Sequence, residues 1–178
     1  SAAGAAVSFG AGGEFSYDPT TSDTLQALAA GAEIVEAFTY TVRDTDGEEA
    51  VGSVEVTVVG VNDAPVFAEE LAEQLVPAGG RLGPLELALV DVDGDVSSLA
   101  LSAVSDSPDL LPERAIDFRF SDGVWSVIVD TDPAVHASVS ITLRASDGEG
   151  IGTATLVVTS VPVPAPPQIS GPLSASTD

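Results

Sequence analysis

The chain has 178 residues and carries 28 Asp and Glu against five Lys and Arg, for a formal net charge of −23 at pH 7. This charge argues strongly against nucleic acid and anionic membranes as partners. Hydrophobic residues make up 44% of the chain, which favours folded cores over disorder. Cysteine is absent, so the chain has neither a disulfide framework nor a thiol site. No segment reaches the ~20 apolar residues of a membrane helix, so we expect no membrane insertion.

The first sixty residues predict two β-hairpins separated by one short helix. Residues 7–17 form a hairpin with a glycine turn. Residues 23–31 predict a helix of two turns at most, which Asp23 caps and Gly31 ends. Apolar and polar residues then alternate over 38–42 and 54–58, which is typical of half-buried antiparallel strands.

The second part of the chain predicts a complete sandwich. About seven short strands are expected over residues 67–160, in number and length typical of an immunoglobulin-like fold. Asp122-Gly123 is a two-residue hairpin turn, and Trp125 follows it as a core residue. The fold class is therefore all-β: tandem immunoglobulin-like antiparallel β-sandwiches.

An internal repeat divides the chain into modules. Residues 41–48 align with 142–149, and the apolar positions of 52–61 align with those of 152–161. The expected boundaries are a partial module over 1–60, a linker over 61–66, a sandwich over 67–160, and a Pro-rich linker with the start of a further repeat over 161–178. The first module has too few residues for a full sandwich, so we expect both ends of the chain to be cuts through a longer polypeptide.

Acidic residues cluster in the sequence on both sides of the linker. Two carboxylates ~4 Å apart repel by about 1 kcal/mol in water and roughly 4 kcal/mol at an effective dielectric of 20. Either bound divalent cations or wide spacing in a saline environment relieves this repulsion. A lone Asp-Gly favours a simple turn, and Asp95 fits that reading, whereas the assembled set favours calcium. The set comprises Asp44, Asp46, Asp63, Asp91, Asp93 and Asp95, all expected near the joint.

Several motifs resemble known repeat families. Gly13 to Pro19, Phe38 to Val42, Asp46-Gly47 and Val61-Asn62-Asp63-Ala64-Pro65 resemble the VCBS repeat. The second module resembles the tandem cadherin-like modules of RTX-type bacterial adhesins through Asp91-Val92-Asp93-Gly94-Asp95 and Ala145 to Gly148. The resemblance implies an extracellular, secreted protein of the bacterial cell surface. It also implies calcium (Ca²⁺) at the joints, roles in cell adhesion and biofilm formation, and, as partners, neighbouring repeats and a cell-surface protein or glycan.

The resemblance also implies a ligand set. Asp63 is the linker ligand, and Asn62 contributes a backbone carbonyl beside it. Asp91 and Asp93 match the D-x-D loop of the following module, and Asp147 matches its late loop acid. Less specific candidates are Glu69 or Glu70 and Asp18 or Asp23. At the second joint Pro162 and Val163 replace Asn and Asp, so that linker is expected to lack calcium.

Catalysis has little support in the sequence. His136 is the only histidine, and no G-x-S-x-G turn presents a nucleophile. A carboxylate pair for glycoside hydrolysis remains open among so many acids, but no cleft is indicated. We expect a protein that is not an enzyme. The alternative function is a carbohydrate- or protein-binding β-sandwich with a solvated acidic surface and Trp125 as a stacking platform.

Overall fold

The computed structural model describes residues 1–10 and 12–164 and has an all-β architecture. The expected repeat opening over 168–178 and the end of the Pro-rich linker lie outside these residues. Before the linker, the strands are β1 (Ala6–Phe9), β2 (Phe15–Asp18), β3 (Glu33–Arg43) and β4 (Glu49–Val59). After it come β5 (Val66–Phe67), β6 (Gln74–Pro77), β7 (Arg81–Leu87), β8 (Leu89–Val90), β9 (Ala100–Ser105), β10 (Ile116–Ser121), β11 (Val124–Asp130), β12 (Ser138–Ser146) and β13 (Ile151–Val161).

The first module contains the two predicted hairpins. Strands β1 and β2 pair antiparallel, and β3 and β4 pair over their full length, from Glu33 opposite Val59 to Arg43 opposite Glu49. The two hairpins meet through aromatic rings. The Phe38 ring makes edge contacts with Phe9 and Phe15, at centroid distances of 6.1 and 5.6 Å. Both hairpin predictions are confirmed.

The helix between the hairpins is shorter than predicted. Helix α1 spans only Asp23–Gln26, after a 3-10 turn over Pro19–Thr21. Its N-cap is Ser22, whose Oγ accepts a hydrogen bond from the Leu25 amide at 3.3 Å, so the assignment of the cap to Asp23 is wrong. After the helix, the Gly31 amide donates to the carbonyl of Gly60, the residue that follows β4, at 3.0 Å.

Two sheets and a short strand pair form the second module. One sheet has the order β10-β11-β7 and the other the order β6-β13-β12-β9, while β5 pairs with β8. Nine strands are present where about seven were predicted, because β5 and β8 have two residues each and are too short to show alternation. Across the described ranges, no helix has the length and apolar character needed to cross a membrane.

The core of the second module lies between its two sheets. Val127 and Val129 from β11 pack with Ile141 and Leu143 from β12 and with Leu156 from β13, and all five are fully buried. These positions alternate along their strands, so the immunoglobulin-like sandwich prediction is confirmed.

Trp125 occupies the edge of this core. Its ring is partly buried against the core cluster, and its indole N–H donates to the Val96 carbonyl at 2.7 Å. The prediction of a core tryptophan is confirmed. The turn before it has Asp122 and Gly123 at φ 54° and 85°, as a tight Asp-Gly hairpin turn requires.

The first module places a carboxylate where a sandwich usually has an apolar residue. Glu36 on β3 is buried and accepts a hydrogen bond from the Tyr17 hydroxyl at 2.5 Å. Burial, followed by the bond to Glu36, raises the pKa of Tyr17 to about 12. Hydrogen bonds from the Ser1 and Tyr17 side chains lower the pKa of Glu36. This carboxylate therefore ties β2 and the amino-terminal segment to β3.

The buried core predicts a clear contrast between two leucine-sized positions of one hairpin. Leu143→Ala on β12 lowers the free energy of unfolding by about 2–5 kcal/mol, because it leaves a cavity in a core position. Ile151→Ala, at the exposed start of β13, costs less than about 1 kcal/mol. Urea unfolding followed by Trp125 fluorescence measures both. Equal losses for the two variants would contradict the described core.

Candidate calcium site at the joint

The linker lies directly against the second module. Pro65 is buried, and its carbonyl oxygen lies so close to Gly152 that a Cβ at that position would overlap it. A Cβ on Gly150 would come within 2.6 Å of the Ala64 Cβ. The two glycines at the start of β13 therefore allow a close backbone approach that a side chain at either position would prevent.

Asn62 fixes the linker to the loop between β12 and β13. Its Nδ2 donates to the Asp147 Oδ2 at 3.0 Å. Asp147 Oδ1 accepts the amides of Gly150 and Glu149 at 2.6 and 2.7 Å. The Gly150 amide and then the Asn62 side chain lower the pKa of Asp147. From the sequence, Asn62 was expected to contribute only its backbone carbonyl, and its side-chain bond to Asp147 was not predicted.

The loop after β8 approaches the same linker. Val66 pairs with Val90, so the short β5–β8 pair holds the start of the Asp91–Asp95 loop beside the residues that follow Asp63. The Asp63 amide donates to the Asp93 Oδ2 over a long 3.4 Å. The structure thus brings together the linker pair Asn62 and Asp63, the D-x-D loop and the Asp147 loop.

Asp91 is the most unusual group in this arrangement. Both oxygens of its carboxylate are buried and have no hydrogen-bond partner of regular geometry among the described residues. Burial raises the pKa of Asp91, the neighbouring Asp93 raises it further, and the nearby Gly94 and Asp93 amides oppose the shift only in part. A buried carboxylate without a partner is costly unless the proton or a cation neutralises it.

The donor chemistry fits calcium. Calcium takes ~6–8 oxygen ligands and accepts carboxylates, amide oxygens and backbone carbonyls. Over residues 1–10 and 12–164, no three His, Cys, Asp or Glu side chains lie in a group suited to a metal ion. A calcium ion bound here would have only two carboxylate ligands, Asp91 and Asp93, and would take its other ligands from oxygens of the linker residues Asn62 and Asp63.

Two predicted ligands lie at the wrong end of the first module. Asp44 and Asp46 occupy the turn between β3 and β4, whereas the linker follows the opposite end of β4. Strand β4 has 11 residues, so at about 3.3 Å per residue the turn is separated from Val59 by roughly 30 Å. The Asp44 Oδ1 instead accepts the amides of Asp46 and Glu48, each at 2.9 Å. Their expected place near this joint is wrong.

The less specific candidates are engaged elsewhere or remain in solvent. Asp18 caps the 3-10 turn by accepting the Thr20 amide at 3.0 Å, and its Thr20 bonds lower its pKa. Asp95 caps the next 3-10 turn, over Val96–Ser98, which confirms its reading as a turn residue. Exposed side chains without a described hydrogen bond to the linker are Asp23, Glu69 and Glu70.

The opposite end of the second module has a different chemistry. The acid at the end of β11, Asp130, binds Arg81 at 2.7 and 3.0 Å, and that bond lowers its pKa. Asp132 accepts the Ala134 amide at 2.7 Å within its own loop. Pro162 and Val163 follow, both exposed. The absence of calcium from this second joint stays a prediction.

Comparison with known proteins finds likeness in the fold only. No known protein family and no curated protein matches the sequence. Among solved structures, the titin domains Z1Z2 in complex with telethonin share 13% identity over 90% of this chain and 74% of theirs, with a TM-score of 0.44. An endo-fucoidan hydrolase of glycoside hydrolase family 107 shares 19% identity over 94% of this chain but 23% of its own length, with a TM-score of 0.46. Titin M10 in its complex with the obscurin-like 1 Ig domain shares 16% identity over 57% of this chain and 98% of that one, with a TM-score of 0.41.

Opposite pKa shifts predict opposite effects of two charge-removing substitutions in a chelating buffer. The pKa of Asp91 is raised on folding, so its ionised form costs stability at neutral pH, and Asp91→Asn raises the melting temperature. The pKa of Asp147 is lowered, so its ionised form stabilises the fold above the ordinary value, and Asp147→Asn lowers the melting temperature.

Calorimetric scans from pH 7 down to about pH 2 test both signs, because the ordinary pKa of Asp is about 3.9 and the folded value of Asp147 lies below it. The increase in melting temperature caused by Asp91→Asn shrinks as the pH falls, because Asp91 in the wild-type chain then takes up a proton. The contribution of Asp147 is retained at pH 7 and lost as the pH falls through its lowered folded value. A lower melting temperature for Asp91→Asn than for the wild type, at pH 7 without calcium, would contradict the burial of the Asp91 carboxylate.

The close approach of the linker predicts a steric effect at Gly152. Gly152→Ala destabilises the second module by about 1–3 kcal/mol, because the new Cβ meets a backbone oxygen that cannot rotate away. Thr153→Ala, at the exposed neighbouring position, serves as the control and changes stability by less than about 0.5 kcal/mol. Denaturation followed by Trp125 fluorescence measures both.

Proposed function

We propose that this chain is a calcium-dependent structural and adhesive repeat of an extracellular bacterial protein, in which calcium stiffens the joint between two β-sandwich modules. One observation carries the proposal: the Asp91 carboxylate is buried beside Asp93, and neither of its oxygens has a hydrogen bond of regular geometry among the described residues. A bound calcium ion supplies the positive charge that offsets this cost and accepts several further oxygens at the same point. The proposed ligands are Asp91, Asp93, Asp63 and Asn62, with Asp147 positioning Asn62.

The contacts of the linker indicate how stiffening would work. Gly60 belongs to the first module, since its amide donates to Ala32 and its carbonyl accepts from Gly31. Asn62 belongs to the second module through Asp147. Val61 lies between them and is 77% exposed. Fastening Asp63 to the Asp91–Asp93 loop would therefore leave Val61 as the main point of bending.

This differs from the bridging of carboxylates in both modules that a cadherin-like joint implies. The ligands proposed here come from the linker and the second module, because Asp44 and Asp46 lie at the far end of β3 and β4. The ion would hold the linker to one module and so shorten the flexible connection. A string of such modules would act as a non-catalytic spacer that extends an adhesive surface protein.

Calcium calorimetry on the full 178-residue chain tests the proposal. We expect calcium to bind and to raise the melting temperature. At a calcium concentration a hundredfold above the dissociation constant, the free energy of unfolding should rise by about 2.7 kcal/mol. In Asp91→Asn and Asp93→Asn we expect binding to weaken by about tenfold or more, because each loses a carboxylate ligand.

Asp109→Asn is the matched control, since Asp109 is exposed in the loop between β9 and β10 and lines a cavity with Asp130 and Asp132, away from the linker. It should bind calcium as the wild type does. Failure of calcium to change either melting or hydrodynamic size would refute the proposal. So would equal binding by Asp91→Asn and Asp109→Asn.

A further inference from the structure

Near its entry and at its exit, the second module has two strands that pair in parallel, β6 and β13. The ladder runs from Gln74 opposite Val158 to Pro77 opposite Val161. The Ala78 amide extends it by donating to the Val161 carbonyl at 2.8 Å. Tension on the chain pulls β6 and β13 in opposite directions along their own axes. The hydrogen bonds between them are therefore loaded together and not one after another.

The chain before β6 is attached to the module more weakly. Strand β5 pairs with β8 over two residues only, and the Ala68 amide adds one bond to the Ala88 carbonyl at 2.7 Å. Over the described part of the chain, residues 69–73 belong to no strand. A cavity of about 370 Å³ is lined by part of this segment and by Thr153–Thr155 of β13. The edge of β13 is therefore not paired with the segment that leads into β6.

The linker and β5 are held at the same end of the module. Asn62 is bonded to Asp147 in the loop before β13, and β5 pairs with β8, directly before the Asp91–Asp95 loop. The first bond at the β6 end is made by Glu73, whose carboxylate accepts the Thr159 hydroxyl at 2.5 Å. Two separate sets of contacts thus hold the entry segment: a weak set at the linker and β5, and a parallel ladder that begins beside Glu73.

We propose that the second module yields to tension in two stages, a property that rests on its proposed role as a spacer in a surface protein. In the first stage the linker and β5 detach, and residues 62–73 straighten. Release stops at β6, because its ladder with β13 carries the load until the whole module unfolds. Calcium held by the proposed ligands raises the force of the first stage alone, since it fastens the linker and leaves β6 and β13 unchanged.

The positions of the two sets of contacts fix the length that each stage releases. Between Pro65, which lies beside Gly152, and Gln74, which lies beside Val158, the chain follows about 20 Å of β13. Fully extended, the same stretch reaches roughly 30 Å, so the first stage adds on the order of 10 Å. Unfolding of the rest of the module, up to Val161, adds roughly 300 Å. The two stages therefore differ in length by more than an order of magnitude.

Optical tweezers test this on the full 178-residue chain, pulled from tags at its two ends in a chelating buffer. We expect a reversible extension of about 10 Å before the step of roughly 300 Å. Added calcium should raise the force of the short step and leave the force of the long step unchanged. Yielding of the first module is a separate event, and two engineered disulfides identify the steps that belong to the second module.

The two disulfides are matched variants, because the chain has no cysteine of its own. Val66→Cys with Val90→Cys joins two exposed residues that lie opposite each other in the β5–β8 pair, so oxidation should remove the short step. Leu75→Cys with Thr159→Cys joins β6 to β13 at directly opposite positions. Its oxidation should keep the short step and remove the long one. A reducing agent should restore both steps in both variants.

Three results would overturn the two-stage release. They are a long step with no short step before it in chelator, a short step that survives oxidation of the cysteines at 66 and 90, and loss of the short step on oxidation of those at 75 and 159. A short step with the same force in calcium and in chelator would support the two stages but contradict the calcium joint. The two proposals therefore fail separately.

Discussion

The organisation of this chain depends on the close packing of residues 62–65 against the start of β13. Gly152 and Gly150 give the linker backbone a surface without side chains, and Asn62 then reaches the Asp147 carboxylate. Without this packing, a Pro-containing linker would be a short extended connector that could change its orientation relative to the second module. Here it becomes part of the end of the second module, and the loops that carry Asp91 and Asp147 are held on either side of it.

This packing also explains why one unsatisfied carboxylate matters to the whole joint. The loop that buries Asp91 is the loop whose Asp93 approaches the Asp63 amide. Whatever neutralises Asp91 therefore acts on the path of the linker as well as on the stability of the loop. Because the Asp91–Asp93 loop contacts the linker, neutralising the Asp91 charge would also restrict the orientation of the modules.

Much of the fold could be predicted from the sequence. Alternation of apolar residues and the Asp-Gly turns predicted the long strands, because period-two patterns and turn chemistry are local properties. The repeat predicted that the two modules share one hairpin type. The two-residue strands β5 and β8 could not be predicted, since two residues carry no period. The helix cap at Ser22 was missed because Asp18 and Pro19 form a turn that shifts the helix entry.

The site was only partly predictable for a physical reason. Residues that flank a linker in sequence need not flank it in space, because a long hairpin carries its turn to the opposite end of the module. Asp44 and Asp46 were misplaced in this way, whereas Asp91, Asp93 and Asp147 come from loops that face the linker. The burial of Asp91 and the side-chain bond of Asn62 depend on tertiary packing that no local pattern indicates.

Calcium is proposed to fasten the linker and so to restrict the motion of the two modules. The chain has no cysteine, so Thr57→Cys on β4 and Ser102→Cys on β9, both exposed, allow unique spin labels in the two modules. Pulsed electron paramagnetic resonance then measures the distribution of distances between the labels. We expect a broad distribution in chelator and a narrower one in calcium, with no narrowing when Asp91 is replaced by Asn. An identical width with and without calcium in the otherwise wild-type chain would contradict this proposal.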